Sequence, residues 1–412
     1  MGIERNIYLQ KLIVRKHNGM IKVITGIRRC GKSYLLFNLF KQHLLDQNID
    51  GDHIIEINFD AIENEYLQDP LKVYAYIKDK ITDSHMYYIL LDEVQLLHKF
   101  ESVLNSFLKL SNVDIYVTGS NAKFLSNDVI TEFRGRGDQV HVYPLSFREF
   151  ISVYSGNEGE GLSDYMYYGG LPLITKMLQY EQKATYLNNL FNETYLVDII
   201  NRNHIRNEAE LEELLNILSS NIGSLTNPRK LANTFKSVKG LSLTEPTIKT
   251  YLDYLLDSFL IEKAIRYDIK GKRYIDTPAK YYFTDVGLRN ARLNFRQLED
   301  THLLENVIYN ELKIRGYSVD VGVVEINNKD KSKSYLEVDF ICNKVDQRVY
   351  IQTTLSIPDQ DKLNQEQRSL VNVNDSFKKI IITRDKVKTH YTDNGILIMN
   401  VFDFLLNEKS LV

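Results

Sequence analysis

Ile21-Lys22-Val23-Ile24-Thr25-Gly26-Ile27-Arg28-Arg29-Cys30-Gly31-Lys32-Ser33-Tyr34 is a five-residue apolar strand running into GxxxxGK[ST] and then into a helix. That order, strand, glycine loop, helix, is the context in which the motif carries chemistry. A glycine-rich loop curls its backbone N–H groups round phosphate oxygens, and the helix opening at Lys32 adds the positive end of its dipole. Lys32 is therefore expected to reach the β- and γ-phosphates and the Ser33 hydroxyl to ligate Mg²⁺. Gly26, Ile27, Arg28, Arg29, Cys30, Gly31 and Tyr34 complete the expected ATP-binding loop. The plainer alternative is a glycine turn with an exposed lysine.

Outward from this loop, short apolar runs alternate with amphipathic stretches. Strands are expected at 21–25, 54–59, 87–91, 115–118 and 139–143, and helices at 32–45, 71–81 and 100–110. Such alternation predicts an α/β fold, a P-loop parallel sheet with helices on both faces and its function at the carboxyl ends of the strands. Pro144 ends the pattern. A short helix is expected at 146–154, a glycine-rich loop at 156–161, and helical periodicity from 165 to 219. Residues 226–273 read as three short helices and a basic hairpin, a winged helix; after Thr301 come helix, strands and helix, a second α/β unit. The expected parts are a P-loop domain (1–145), a helical lid-like segment (146–221), a winged helix (222–290) and a terminal α/β domain (291–412).

Tyr87-Tyr88-Ile89-Leu90-Leu91-Asp92-Glu93 is an apolar strand ending in two carboxylates, with one strand and helix between it and the phosphate loop. Asp92 is expected to hold Mg²⁺ through water and Glu93 to polarise the attacking water. The strand at 115–118 ends Thr118-Gly119-Ser120-Asn121. Asn121 either orients water against the γ-phosphate or caps the following helix; Ser120 is the second candidate. Two arginines flank Gly135, and a loop of this kind either projects toward the γ-phosphate of a neighbouring subunit or is a solvated basic turn.

The stretches GIRRCGKSYLL, YILLDEVQ, TGSNAKFLS, GRGDQVHVYPLSFREF, YYGGLP, DIINRNHIRN and KYYFTDVGLRN resemble a bacterial and archaeal family of AAA-type (AAA+) ATP-binding proteins with a C-terminal domain of unknown function. The resemblance covers nearly the whole chain. It implies ATP binding and hydrolysis, and it favours Arg136, in the family's Gly-Arg position, as the finger acting in trans between copies of a homo-oligomer.

Two further readings concern the C-terminal half. Between Thr226 and Ile275 there are 10 Lys plus Arg against 5 Asp plus Glu, with Lys270, Lys272 and Arg273 on the hairpin. That basic wing is a candidate DNA contact; the alternative is a winged helix used for packing. Beyond it, Glu305 on a helix, Glu337-Val338-Asp339 on a strand and Gln352-Thr353-Thr354 on the next resemble the order of a restriction-endonuclease-like PD-(D/E)xK domain. Asp339 matches the Asp. Gln352 stands where the Glu belongs and Thr354 where the Lys belongs, so the domain is expected to be degenerate and non-cleaving, with Glu305 and Glu337 left as ligand candidates.

Composition sets the outer limits. The chain has 412 residues, 25% charged and 43% hydrophobic, which excludes a disordered or fibrous chain. Its net charge of −3 is silent on nucleic acid, and its two cysteines exclude a disulfide framework or a zinc-cysteine site. No apolar run of transmembrane length and no signal-like N-terminus is present, so a cytoplasmic protein without membrane contact is expected. The sequence reading is a Mg²⁺-dependent ATPase whose cycle moves the C-terminal parts, with DNA as a candidate partner. The alternatives are a nucleotide-dependent switch or scaffold acting through protein partners, and an ATP-gated nuclease.

Overall fold

The structure is a computed structural model that describes residues 2–119, 133, 135–239, 243–327 and 332–412. The chain divides into two compact units: residues 1–144 with 257–259, and residues 145–256 with 260–412.

The first unit begins with α1 (Asn6–Ile13) and β1 (Ile21–Thr25). A continuous helical run follows: α2 (Lys32–Tyr34), a π-helical stretch (Leu35–Phe40) and α3 (Lys41–Asp46). Then come β2 (Ile54–Asn58), α4 (Pro70–Lys80), β3 (Tyr87–Asp92), α5 (Phe100–Phe107), β4 (Val113–Thr118) and β5 (Gly137–His141). The strands form one sheet in the order β2-β3-β4-β1-β5, parallel throughout. This is the expected architecture, and its cause is in the strands themselves. All of β1 and β3 is buried, as strands covered on both faces are. The lone charge inside β1, Lys22, is paired with Asp114 of β4, which also accepts a hydrogen bond from Tyr116. Burial pushes the Lys22 ammonium below its ordinary range while the Asp114 carboxylate opposes that shift. Asp69 caps α4, accepting from the Leu71 and Lys72 N–H groups, and Pro70 takes the first helical position, where its missing N–H costs nothing.

The second unit opens with α6 (Phe147–Ile151), held by a capping box between Ser146 and Glu149. Helices α7 (Glu158–Tyr168), α8 (Tyr180–Asn189), α9 (Val197–Asn203), α10 (Glu208–Ser220), α11 (Pro228–Thr234) and α12 (Glu245–Asp257) follow. The rest is β6 (Ile261–Asp268), β7 (Arg273–Phe283), α13 (Val286–Arg292), α14 (Asp300–Ile314), β8 (Ser318–Asn327), β9 (Lys333–Lys344), β10 (Gln347–Thr354), α15 (Gln360–Val371), β11 (Lys378–Thr383), β12 (His390–Tyr391), β13 (Leu397–Asn400) and α16 (Val401–Leu406).

Two local expectations are corrected here. The glycine-rich segment 156–161 is not a loop throughout. It becomes helical at Glu158 because the Asn157 side chain accepts from the Glu160 N–H and outweighs the low helix propensity of Gly159 and Gly161. The hairpin β6–β7 is not confined to a wing: β6 pairs parallel with β8, so one eight-stranded sheet, β12-β13-β11-β10-β9-β8-β6-β7, runs across residue 290.

Candidate functional site

The carboxyl ends of β1, β3 and β4 bring the expected phosphate-site residues together. Gly26 has φ +142°, and a Cβ built there would lie 2.1 Å from the Val142 carbonyl oxygen, so no other residue fits. Gly31, at φ +97°, precedes the helix. The Lys32 ammonium is buried and donates to the carbonyls of Gly26 and Ile27 at 3.0 and 2.9 Å. The loop thus holds its own lysine against its backbone. Ser33 Oγ donates to Asp92 Oδ1 at 3.0 Å, which joins the start of α2 to the end of β3.

Asp92 is buried, and burial raises its carboxyl above the ordinary range against the lowering effect of hydrogen bonds from Thr118 and Ser33. Glu93, next in the chain, has φ +52° and accepts from the Gln95 amide. The paired oxygens of Ser33 and Asp92 are hard donors of the kind that suits Mg²⁺ beside phosphates.

The sequence reading missed two residues here. Thr118, the last residue of β4, donates its hydroxyl to Asp92 Oδ1 and accepts from the Glu93 N–H at 3.2 Å. A polar residue closing an apolar strand was the available signal; the candidates named instead, Ser120 and Asn121, lie outside the described residues. Arg5 is the other. It is buried, donates to the carbonyls of Cys30 at 2.8 Å and Tyr143 at 2.6 Å, and stands over the Tyr8 ring. It therefore ties the phosphate loop to the segment that follows β5, and nothing in its sequence context announces this. Cys30 is buried, with its thiol against the Val142 carbonyl at 3.4 Å. Arg28 is half-buried, while Arg29, Ser33 and Tyr34 are exposed.

Arg136 is not at this end of the sheet. Its carbonyl accepts from the Ile21 N–H at 2.8 Å, and Gly137 pairs with Ile21, so it stands exposed at the amino end of β5. Five residues of strand, about 16 Å, separate that end from the phosphate loop of the same chain.

In the second unit, Lys270, Lys272 and Arg273 are exposed at the β6–β7 turn, with Arg273 3.4 Å from Asp268. The residues expected from the resemblance to a nuclease-like site converge as well. Lys280 of β7 lies buried with its ammonium 2.8 Å from both Glu305 and Glu337. Tyr282 donates to Glu305 at 2.6 Å, and Asp339 accepts from the N–H and the hydroxyl of Thr353, each at 2.8 Å. Gln352 accepts from Ser369 at 3.3 Å, and the Thr354 hydroxyl donates to the Ser356 carbonyl at 3.2 Å, so neither restores the missing carboxylate or cation. Burial alone would lower the Lys280 ammonium, but Glu305, Asp339 and Glu337 together hold it above its ordinary range. Burial, and then Glu305, push Asp339 up to about 7. A cation therefore does sit among these carboxylates, and it comes from a strand far from Thr354 in sequence.

Comparison with known proteins gives the lineage. Residues 18–151 match the AAA domain and residues 159–299 a domain of unknown function (DUF8612). An uncharacterized protein of Haemophilus influenzae is 36% identical over 410 residues, covering 98% of each chain. The uncharacterized protein MJ1544 of Methanocaldococcus jannaschii is 30% identical over 355 residues, covering 82% of this chain and 74% of its own. Among solved structures, the Aeropyrum pernix Orc1 protein in complex with DNA is 12% identical, covers 71% of this chain and 92% of its own, and has a TM-score of 0.29, too slight a likeness to argue from. No helix among the described residues is long and apolar enough to cross a membrane.

Proposed function

This chain belongs to one family with its uncharacterized Haemophilus influenzae and Methanocaldococcus jannaschii relatives and carries an AAA domain over residues 18–151, and we propose that it is a Mg²⁺-dependent ATP hydrolase whose cycle drives a change in its C-terminal unit. The observation that carries this reading is the Ser33–Asp92 hydrogen bond, which brings a hydroxyl at a helix start and a carboxylate at a strand end to one point. Ser33 and Asp92 would hold Mg²⁺, which when bound supplies charge neutralisation across the β- and γ-phosphates. Lys32 exchanges its two loop carbonyls for phosphate oxygens. Thr118 keeps Asp92 and the Glu93 backbone in register across the two strand ends, and Glu93 takes the proton of the attacking water. Arg136 acts on the nucleotide of a neighbouring copy, which its position at the opposite end of its own sheet favours.

For the C-terminal unit, the reading is a non-cleaving nuclease-like part whose carboxylates are neutralised by Lys280. The exposed Lys270, Lys272 and Arg273 support DNA as the partner. ATPase rates with and without DNA, alongside mass in ATP by size-exclusion chromatography, test the proposal. Turnover stimulated by DNA in an oligomer is the expected result. Slow turnover with no DNA binding at low salt favours the alternative, a nucleotide switch read by protein partners.

A further inference from the structure

His53, Asp83 and His85 lie at the amino ends of β2 and β3, the end of the sheet away from the phosphate loop. His53 closes the turn before β2, and Asp83 and His85 belong to the segment that leads into β3. The two imidazoles meet on a single carboxylate oxygen. His53 Nε2 is 3.1 Å from Asp83 Oδ2, and His85 Nδ1 is 3.0 Å from the same atom. All three ligand atoms lie within 4.8 Å of one another. Four donors about 2.0–2.1 Å from a tetrahedral ion lie about 3.4 Å apart, close to the 3.1 and 3.0 Å that separate the two imidazole nitrogens from Asp83 Oδ2.

Ring contacts and hydrogen bonds order the His53 ring and the backbone around Asp83 and His85. The His53 ring stands edge-on to Tyr87, with centroids 4.7 Å apart, and to His85 at 5.3 Å. The Tyr87 hydroxyl accepts from the Thr82 N–H at 3.1 Å, which fixes the start of the Asp83 segment. Asn112 Nδ2 donates to the carbonyls of Asp83 and His85, each at 3.1 Å. The His85 N–H donates to Asp83 Oδ1 at 2.8 Å, leaving Oδ2 to the imidazoles.

We propose that His53, Asp83 and His85 form a binding site for a late first-row divalent cation, Zn²⁺ foremost. Two imidazoles and one carboxylate suit Zn²⁺ and its neighbours in the affinity series and not Mg²⁺, which prefers oxygen donors throughout. Three protein ligands leave one position, and the exposure of His85 opens it to solvent. The ion would clip the turn before β2 to the segment before β3, at the edge of the sheet and about 16–20 Å of strand away from the phosphate site. It is therefore separate from the Mg²⁺ that accompanies ATP.

The test uses the full-length, tag-free protein without nucleotide. Co²⁺ is titrated while visible absorption is followed, and Zn²⁺ is titrated by calorimetry, for the wild type, His85→Ala and Asp83→Asn. His85 is largely exposed, so its replacement leaves the fold intact; circular dichroism and thermal melts verify this. The expected result is one equivalent of Co²⁺ giving a tetrahedral or five-coordinate spectrum, displaced by Zn²⁺, with affinity at least tenfold weaker in both variants. Wild-type binding no tighter than millimolar, or equal stoichiometry and affinity in wild type and both variants, would overturn the proposal.

Discussion

Lys280 stands between Glu305 and Glu337, buried, with Asp339 close by. Breaking a buried ion pair from one side leaves charge without compensation. Lys280→Met is therefore expected to cost about 3–5 kcal/mol of stability, read as a lower denaturation midpoint in urea. Asp339 carries a second prediction, in pH. Its carboxyl is raised to about 7 in the folded chain, so the folded state holds a proton that the unfolded state releases near pH 4. Its contribution is full below pH 4, is lost as pH rises to about 7, and is flat above. Asp339→Asn is expected to remove this slope, so that between pH 4 and 7 the wild type loses stability relative to the variant in paired thermal melts. A constant difference across that window would contradict the assignment. Neither effect is visible in the sequence. Lys280 sits in a stretch of aromatic strand with nothing to mark it as a partner of Glu305, and only the β6–β8 pairing brings β7 into the same sheet as Glu337.

At the scale of elements, the phosphate loop and the strand ends were legible and their braces were not. GxxxxGK[ST] prescribes a backbone, and a largely apolar run such as that of β3, alternating with helices, suits a parallel sheet covered on both faces. Buried strands often end in acidic turns, so Asp92 and Glu93 could be read only because their strand follows the phosphate loop with one strand and helix between them. Thr118 and Arg5 act through contacts across the sheet or across well over a hundred residues of chain, and local pattern does not encode those. The caps show the same division: Asn157 and its Glu160 N–H turned an expected loop into α7, a competition that composition alone decides wrongly. The loop gives a direct element-scale prediction. Gly26→Ala places a methyl 2.1 Å from the Val142 carbonyl at a φ that only glycine tolerates. It is expected to displace the loop and abolish ATP binding while the far-ultraviolet circular dichroism of the protein stays near that of the wild type. Binding at wild-type affinity would show that the loop yields without loss.

At the scale of the whole molecule, the net charge of −3 averages a basic 226–275 segment with an acidic remainder, and so it never bore on DNA in either direction. The placement of Arg136 does bear on assembly. An exposed arginine at the amino end of β5 serves a nucleotide only if the nucleotide belongs to another copy. Arg136→Ala and Lys32→Ala are each expected to be inactive alone. Mixed, they are expected to recover part of the wild-type rate, because a Lys32→Ala subunit can lend its Arg136 to a neighbour that binds ATP. Absence of recovery in a verified mixed oligomer would remove the finger from Arg136.

Glu93, beside the Ser33–Asp92 pair, is the residue proposed to turn bound ATP over. Steady-state phosphate release by Glu93→Gln, with ATP binding measured on the same preparation, tests it most directly. The expected result is binding close to wild type and turnover reduced by roughly 10²–10⁴, the range a general base supplies. Turnover at the wild-type rate would contradict it.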